Sequence, residues 1–193
     1  MTLKKKGKFW YGTTQEDLQT EMRRYSVDNV CEATRYAASA CACGGKTFTL
    51  DTDEDAGVAL RTCTACGNEH YMGDSASYAD EAEPARHPCV CDGEAFELLS
   101  GVALYEDSND VRWYYIGCRC AQCDLVGVFA DWECEAGDAD AFLAAVGRAA
   151  AAAAPLNEAG LSLRAAIPTG RSSRDPCTCA AARDRPDAPP GRR

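Results

Sequence analysis

The stretch that decides the fold runs from Cys89 to Cys123 and carries a pair of cysteines at each end. It opens as Cys89-Val90-Cys91-Asp92-Gly93 and closes as Cys120-Ala121-Gln122-Cys123. Between the pairs lie two runs of β-type residues, 95–99 and 111–116, and the turn-forming residues 106–110 precede the second run. Two cysteine pairs at the ends of a hairpin form a cage of four thiolates. The usual occupant of such a cage is a tetrahedral zinc ion, with Zn–S distances of about 2.3 Å.

The same design occurs once more, earlier in the chain. The units align as Cys41-Ala42-Cys43-Gly44-Gly45-Lys46-Thr47-Phe48 with Cys89-Val90-Cys91-Asp92-Gly93-Glu94-Ala95-Phe96, and as Cys63-Thr64-Ala65-Cys66 with Cys120-Ala121-Gln122-Cys123. Eight residues beyond the last cysteine of each unit, Asp74 matches Asp131. The pairs are 19 residues apart in the first unit and 28 in the second, so the hairpin arms differ in length. Two matching units argue against a chance arrangement of either one.

Each unit resembles a zinc ribbon, and the chain resembles a tandem duplication of one. The first knuckle is Cys-x-Cys rather than the more common Cys-x-x-Cys, which tightens the first turn. The predicted cofactors are two Zn²⁺ ions, one per ribbon, with eight ligands: Cys41, Cys43, Cys63, Cys66, Cys89, Cys91, Cys120 and Cys123. The order of Phe9-Trp10-Tyr11-Gly12, the two units and then Gly127-Val128-Phe129-Ala130-Asp131-Trp132 also resembles an uncharacterised bacterial protein family. That resemblance covers about residues 9–146 and implies no activity.

The length and the cysteine content bound the class of protein. A chain of 193 residues is enough for one domain or two small ones. Thirteen cysteines are compatible with a disulfide scaffold or with metal sites, and the odd total favours metal with spare thiols. The lysines of residues 1–8 are not followed by the apolar core of a secretory signal, and no apolar run is long enough to span a bilayer. We therefore expect a cytoplasmic protein without membrane contact, where reduced thiols favour metal.

The charge is divided unevenly along the chain. Residues 1–147 contain 12 basic and 26 acidic residues, a net charge of −14, whereas residues 148–193 carry +4. Each four-cysteine zinc site adds about −2, from four thiolates and one divalent ion. A nucleic-acid binder needs a basic face, so this balance argues against the commonest use of ribbons. It predicts a protein partner that is itself basic.

The predicted fold is small α+β and mostly β, with two tandem zinc-ribbon hairpins between an amino-terminal and a short carboxyl-terminal helix. The predicted divisions are 1–40 as a basic arm and helical region, 41–88 as the first ribbon and linker, 89–147 as the second ribbon and closing helix, and 148–193 as a disordered tail. Thr13 or Thr14 caps the first predicted helix. This helix has Leu18, Met22 and Tyr25 on one face and ends near Ser26. Residues 27–40 are ambiguous, with a second short helix carrying Val30 and Tyr36 as one interpretation.

Further elements follow from the same patterns. In the first ribbon the predicted strands are 47–50, 57–61 and 70–72, and residues 51–55 form a solvated turn without the spacing of a calcium-binding EF-hand. In the second ribbon residues 125–129 supply the third strand and Trp132 closes it. Asp138 or Asp140 caps the last helix, whose inward residues are Phe142, Leu143 and Val146.

Five cysteines and both histidines remain outside the paired set. Cys118 precedes Cys120 by two residues and is either a competing ligand or a small apolar residue on a strand. Cys31 and Cys134 are spare thiols, and Cys177-Thr178-Cys179 has no Cys-x-x-Cys after it. His70 and His87 are either surface residues or substitute ligands.

The sequence shows no set of nucleophile, base and orienting residue, so no catalytic residue is predicted. A thiol-redox role for the Cys-x-x-Cys pairs lacks the βαβ context of thioredoxins. The leading hypothesis is a non-catalytic zinc-binding module that contacts a protein through an acidic surface, with an inhibitor or immunity-type protein as its narrower version. The alternative is a nucleic-acid-binding tandem zinc ribbon in transcription, with bases stacking on aromatic residues 113–115.

Overall fold

The computed structural model describes residues 3–134 and 137–147. These residues are mostly β, with an amino-terminal helix and a short carboxyl-terminal helix, so the predicted class is confirmed at that level. The strands are β1 Lys4–Lys6, β2 Phe9–Tyr11, β3 Arg35–Ala38, β4 Phe48–Asp53, β5 Val58–Cys63, β6 Glu69–Tyr71, β7 Ala85–Arg86, β8 Phe96–Leu104, β9 Val111–Cys120 and β10 Leu125–Glu133. The helices are α1 Gln15–Asp28 and α2 Ala139–Gly147.

One antiparallel sheet joins the two cysteine units. Its strand order is β1-β2-β10-β9-β8-β4-β5-β6, with β3 added to β8 and β7 added to β4. Each unit is a three-stranded meander, β4-β5-β6 in the first and β8-β9-β10 in the second. The first strands of the two units pair antiparallel at Phe48 and Phe96, which are equivalent residues of the repeat. Antiparallel pairing of equivalent residues relates the units by an approximate two-fold rotation.

The strand bounds refine the predictions. The predicted first strand extends to Asp53, so two of the acidic residues assigned to the turn, Asp51 and Asp53, lie on β4. The turn that follows is closed by a hydrogen bond of 3.1 Å from the Ala56 amide to Asp53 Oδ1. Residues 75–88, predicted as a linker, contain two 3₁₀ turns and β7, which pairs with β4. The long arms of the second unit extend β8 to Leu104 and β10 to Glu133.

The amino-terminal residues are part of the sheet rather than a free arm. Strand β1 pairs with β2, and β2 pairs with β10 through Trp10 and Tyr11. The lysine side chains lie over aromatic rings of the same hairpin, with Lys5 Nζ 5.5 Å from the centre of Trp10 and Lys6 Nζ 4.9 Å from that of Tyr11. Phe9 and Tyr11 pack against the larger of the two buried clusters of the fold, and Trp10 packs against the smaller.

Helix α1 begins with a capping box at Thr14. The Thr14 hydroxyl accepts the Asp17 amide at 3.1 Å, and the Asp17 carboxylate accepts the Thr14 amide at 3.3 Å. The predicted inward residues Leu18 and Met22 are completely buried against the second unit. A Cβ atom at Gly117 would lie 2.5 Å from the Met22 methyl carbon, so glycine on β9 permits the close approach of the helix.

The second short helix considered for residues 27–40 is not formed. Val30 takes a left-handed conformation, with φ of 64°, immediately after the cap residue Asn29. The Val30 amide bonds to Val27 and the Cys31 amide bonds to Ser26, which is the hydrogen-bond pattern of a Schellman motif. The chain then enters β3 and pairs with β8, because the long second hairpin offers a strand to pair with.

The carboxyl-terminal helix forms as predicted. The Asp138 carboxylate accepts the Ala141 amide at 2.9 Å and so caps α2. Phe142, Leu143 and Val146 are buried in the larger core, where Phe142 packs edge-on against Tyr114. The predicted tail and the Cys177–Cys179 pair lie outside the described residues. Neither described helix combines the length and apolar character needed to cross a membrane.

Candidate metal centres

The structure brings the eight paired cysteines together as two separate groups of four. The first group is Cys41, Cys43, Cys63 and Cys66, and the second is Cys89, Cys91, Cys120 and Cys123. Within each group all sulfur atoms lie within 4.8 Å of one another. Each group therefore has the residue types and the spacing to hold one metal ion.

The sulfur separations match a tetrahedral metal site and not a disulfide. The short pairs are 3.6 and 3.7 Å apart in the first group, and the same two values recur in the second. An Sγ–Sγ distance in a disulfide is about 2.05 Å. A regular tetrahedron of sulfurs, each about 2.3 Å from a central zinc, has edges of about 3.8 Å. Four thiolates complete that coordination and leave no position for water or substrate.

The two groups are built by equivalent turns. In the first knuckle the Gly44 amide bonds to Cys41 O at 2.9 Å, and in the second unit the Asp92 amide bonds to Cys89 O at the same distance. Both turn residues have positive φ, 85° for Gly44 and 63° for Asp92. Glycine adopts this conformation freely, and aspartate is one of the few other residues that tolerate it. The local sequence of each knuckle is thus suited to folding the chain back toward its own sulfurs.

The residue after each of these turns approaches the sulfurs closely. A Cβ atom at Gly45 would lie 2.8 Å from Cys63 Sγ, closer than real Cβ contacts. At the equivalent Gly93 the nearest sulfurs would be 3.4 Å away. The Gly45 amide also donates to Cys43 Sγ at 3.4 Å, and such N–H···S contacts stabilise a thiolate. Glycine at position 45 is therefore a steric requirement of the first group.

Without metal, the thiols within one group differ in pKa. Burial opposes ionisation of Cys63, yet the backbone amides of Ala65 and Cys66 outweigh it and lower the pKa of Cys63 to about 7. The Asn68 amide favours the Cys66 thiolate, but neighbouring thiols and burial raise its pKa to about 12. In the second group the Gly93 amide lowers the pKa of Cys91. Because the Cys66 thiol keeps its proton at neutral pH, metal binding there must release it.

Arg61 is the buried cation beside the first group. It lies on β5 two residues before Cys63 and is only 2 % exposed. Its guanidinium lies over the Phe48 ring at 4.9 Å, and its Nε and Nη1 atoms have no hydrogen-bond partner. Burial lowers the pKa of Arg61, whereas the charges of Tyr114, Cys41 and Cys63 raise it. A buried cation needs an anion nearby, and none of the ion pairs among the described residues involves Arg61.

A zinc-loaded first group would carry a net charge of about −2, from four thiolates and one divalent ion. This is the counter-charge that Arg61 lacks. His70 adds a polar contact on the same side, since its Nε2 lies 3.8 Å from Cys41 Sγ. Burial, followed by the charge of Arg61, lowers the pKa of His70, so the neutral ring is favoured. His70 lies beside the four sulfurs and is not one of the clustered ligands.

The second group has no equivalent cation. The repeat aligns Arg61 with Cys118, which lies in the core on β9 and is completely buried. Burial, with the charges of Cys89 and Cys120, raises the pKa of Cys118, so this side chain remains a neutral thiol. Cys118 is outside the cluster of four, which favours the apolar interpretation of this residue over a competing ligand. The two groups thus share geometry but differ in the charge around them.

The remaining candidates lie apart from both groups. Cys31 and Cys134 are buried, as residues of two different core clusters. His87 Nε2 is 2.5 Å from Thr52 Oγ1, and its ring lies 6.0 Å from that of Phe129. Arg61 is a site residue that the sequence analysis does not identify. The sequence does place Arg61 two residues before the ligand Cys63 on one strand, and this spacing puts both side chains on the same face.

Comparison with protein-family models, with curated proteins and with solved structures finds no match to this chain. The resemblance to tandem zinc ribbons and to a bacterial family therefore stays a prediction, and the site itself carries the functional argument.

Proposed function

We propose that the protein is a non-catalytic module in which two structural zinc ions hold a sheet that contacts a basic protein partner. The single observation that carries the metal assignment is the sulfur geometry. Two groups of four cysteines, with sulfur separations of 3.6 to 3.7 Å, match the edges of a zinc tetrahedron. Thiolate-rich sites select zinc over magnesium or calcium, which prefer oxygen ligands.

The position of the groups supports a structural role. Each one joins the start of the first strand to the end of the second strand of its meander, so it closes a loop in the chain at the end of a hairpin. Small β units bury too little apolar surface to be stable alone and need such a closure. The free energy of zinc binding therefore becomes part of the free energy of folding.

Native mass spectrometry of protein purified under reducing conditions, before and after a strong chelator, tests the metal assignment. We expect two zinc ions per chain and loss of near-UV circular dichroism when they are removed. One ion or none, with the fold intact, contradicts the structural role. That outcome would make thiol-redox chemistry at the Cys-x-x-Cys pairs the better hypothesis.

Charge supports the proposed partner class. The net charge of −14 over residues 1–147 becomes about −18 with two loaded zinc sites. Such a field accelerates association with basic proteins and weakens as salt rises. A binding measurement against candidate basic proteins over a salt series tests this. Affinity that is absent at low salt, or unchanged by salt, contradicts an electrostatic interaction.

A narrower version of the proposal is an inhibitor or immunity-type protein whose acidic turn imitates nucleic acid. The turn between β8 and β9 contains Glu106, Asp107 and Asp110. Replacing these three residues by Gln or Asn should lower the affinity for an identified partner. Unchanged affinity of the triple variant would rule out a role for this turn.

Nucleic-acid binding is the second candidate, and one observation favours it. Four lysines, Lys4, Lys5, Lys6 and Lys8, lie on the β1–β2 hairpin, with three of them over the aromatic rings of residues 9–11. Basic and aromatic groups together are typical of surfaces that contact phosphates and bases. Mobility-shift assays with single- and double-stranded probes test this candidate. Absence of a shift at about 50 mM salt excludes phosphate-led binding.

A further inference from the structure

An open cleft of about 310 Å³ lies where the two units meet. Its walls come from the β4–β5 turn and the segment after β6 in the first unit, and from the end of β10 in the second. Four acidic and two aromatic residues line it: Glu54, Asp55, Asp74, Glu133, Tyr78 and Trp132. This volume is at the lower end of the range for ligand sites, which suits a single side chain better than a cofactor.

Two buried polar atoms of the cleft residues have no hydrogen-bond partner. One is Nε1 of Trp132, a side chain that is only 8 % exposed, and the other is Oδ1 of Asp74. The Gly57 turn packs close to the indole, since a Cβ atom there would lie 3.5 Å from Trp132 Nε1. Buried donors and acceptors in native proteins are nearly always paired, so each exception calls for an explanation. A donor and an acceptor left unpaired in one cleft indicate that a ligand supplies both partners.

The repeat provides an internal comparison. Asp131, the equivalent of Asp74, accepts the Trp113 Nε1–H at 3.0 Å and the Tyr25 hydroxyl at 2.9 Å. In the second unit the chain itself therefore satisfies this aspartate with one indole and one phenol. Tyr78 of the first unit and Trp132 of the second also line the cleft beside Asp74, but Asp74 Oδ1 bonds to neither. Asp74 therefore occupies the position equivalent to Asp131, but its Oδ1 has neither an indole nor a phenol donor.

The side chains that line the cleft indicate which class of ligand it can bind. Among the described residues only the cysteine groups bring three or more ligand atoms within 4.8 Å of one another, so the carboxylates of the cleft are too far apart for a bare metal ion. A guanidinium suits them better, because it is wide, planar and carries five N–H donors. The ring of Tyr78, which is 51 % exposed, offers a face on which such a cation stacks. Trp132 Nε1–H requires an acceptor, which a peptide carbonyl next to the arginine supplies.

We propose that this cleft binds one arginine side chain of a partner protein, with the guanidinium on the Asp74 carboxylate and a backbone carbonyl on Trp132 Nε1–H. The proposal rests on the proposed function and names the contact through which a basic partner is recognised. Acidic walls disfavour the carboxylate of free arginine, which is why a peptide is the better source of the ligand.

The test is a ¹⁵N-correlated NMR titration of the zinc-loaded full chain, read at the indole N–H signals. The Trp132 signal is assigned by its loss in Trp132→Phe. The probes are acetyl-Gly-Arg-Gly-amide, its citrulline analogue, which is isosteric and neutral, and free arginine. We expect a saturable downfield shift of the Trp132 signal with the arginine peptide in the millimolar range. The citrulline peptide and free arginine should bind at least tenfold more weakly.

Variants separate a binding role from a structural one. Asp74→Asn should weaken arginine-peptide binding at least tenfold while the melting temperature stays the same or rises, because a charge with one buried, unpaired oxygen is removed. Tyr78→Ala, at an exposed position, should weaken binding without any change in fold. Glu16→Gln makes the same change of charge at an exposed position outside the cleft and should leave the titration unchanged.

The outcomes distinguish this inference from the function on which it rests. No shift of the Trp132 signal, or equal shifts with the citrulline peptide, overturns the arginine site. Tighter binding of free arginine overturns the assignment to a partner protein. If a basic partner binds wild type and Asp74→Asn equally, the cleft proposal falls and the proposed function stands. If the peptide titration succeeds but no basic protein binds, the site stands and the partner proposal falls.

Discussion

Replacing Arg61 by methionine should weaken zinc binding at the first cysteine group and leave the second unchanged. Methionine keeps the length and apolar contacts of the buried side chain and removes its charge. In the loaded protein that charge is the buried counter-charge of a four-thiolate site. In the metal-free protein the Cys66 thiol is protonated at neutral pH, so the cation has less anionic charge near it, and its Nε and Nη1 atoms have no hydrogen-bond partner. The substitution should therefore act mainly on the loaded state.

The magnitude follows from the strand geometry. Arg61 and Cys63 are two residues apart on β5, a separation of about 6.7 Å along the strand. Two unit charges at about 6.7 Å interact by about 2.5 kcal/mol at an effective dielectric constant of about 20. Since about 1.4 kcal/mol corresponds to a factor of ten, this is an affinity loss of roughly 60-fold. Outer-shell partners of metal ligands typically contribute about 10- to 100-fold, so the two estimates agree.

The assay is competition with a chromophoric zinc chelator, with native mass spectrometry to follow the one-zinc and two-zinc species. The second group is the internal control, because Cys118 takes the place of Arg61 there. Arg119→Met is a matched control that removes a cation next to Cys120. Its charge is already paired with Glu97 and Asp124, so we expect less than about a threefold effect on zinc affinity.

Equal zinc affinity at the first group in wild type and Arg61→Met would refute the reasoning about the counter-charge. Weakening at both groups would refute it as well, because that result indicates a general loss of fold. A chelator titration in which the first group becomes weaker and the second stays fixed supports it.

Three further predictions concern protons, packing and capping. Zinc binding at the first group should release protons near pH 7, because the Cys66 thiol, with a pKa of about 12, is protonated there; apparent zinc affinity should therefore fall as pH falls, and a proton-release titration with a pH dye measures this. Gly45→Ala should weaken the first zinc site in the chelator competition, because its Cβ would lie 2.8 Å from Cys63 Sγ, whereas Gly127→Ala, where the nearest atom would be 3.8 Å away, should not. Thr14→Ala should lower the free energy of unfolding in urea by about 1 kcal/mol through loss of the helix cap, and an unchanged unfolding midpoint would contradict that role.

Much of the local structure could be predicted because its causes lie close together in the sequence. Thr14 and Asp17 cap α1 within one turn, and Asp138 caps α2 in the same way. The knuckles depend on glycine or aspartate at positions of positive φ next to the cysteines. The ambiguity over residues 27–40 could not be resolved locally, since Val30 in a left-handed conformation gives no sequence signal and β3 exists only because β8 is there to pair with it.

The sequence by itself determined the two cysteine groups, since each depends on two short motifs whose spacing and turn residues are visible in the chain. Only the tertiary structure decided that Arg61 is buried without a carboxylate partner and that Cys118 occupies the equivalent place in the second unit. Only the packing of one unit against the other brings Asp74 and Trp132 to the same cleft. The reason is physical: ligand spacing is a property of short segments, whereas burial and charge environment depend on residues distant in sequence.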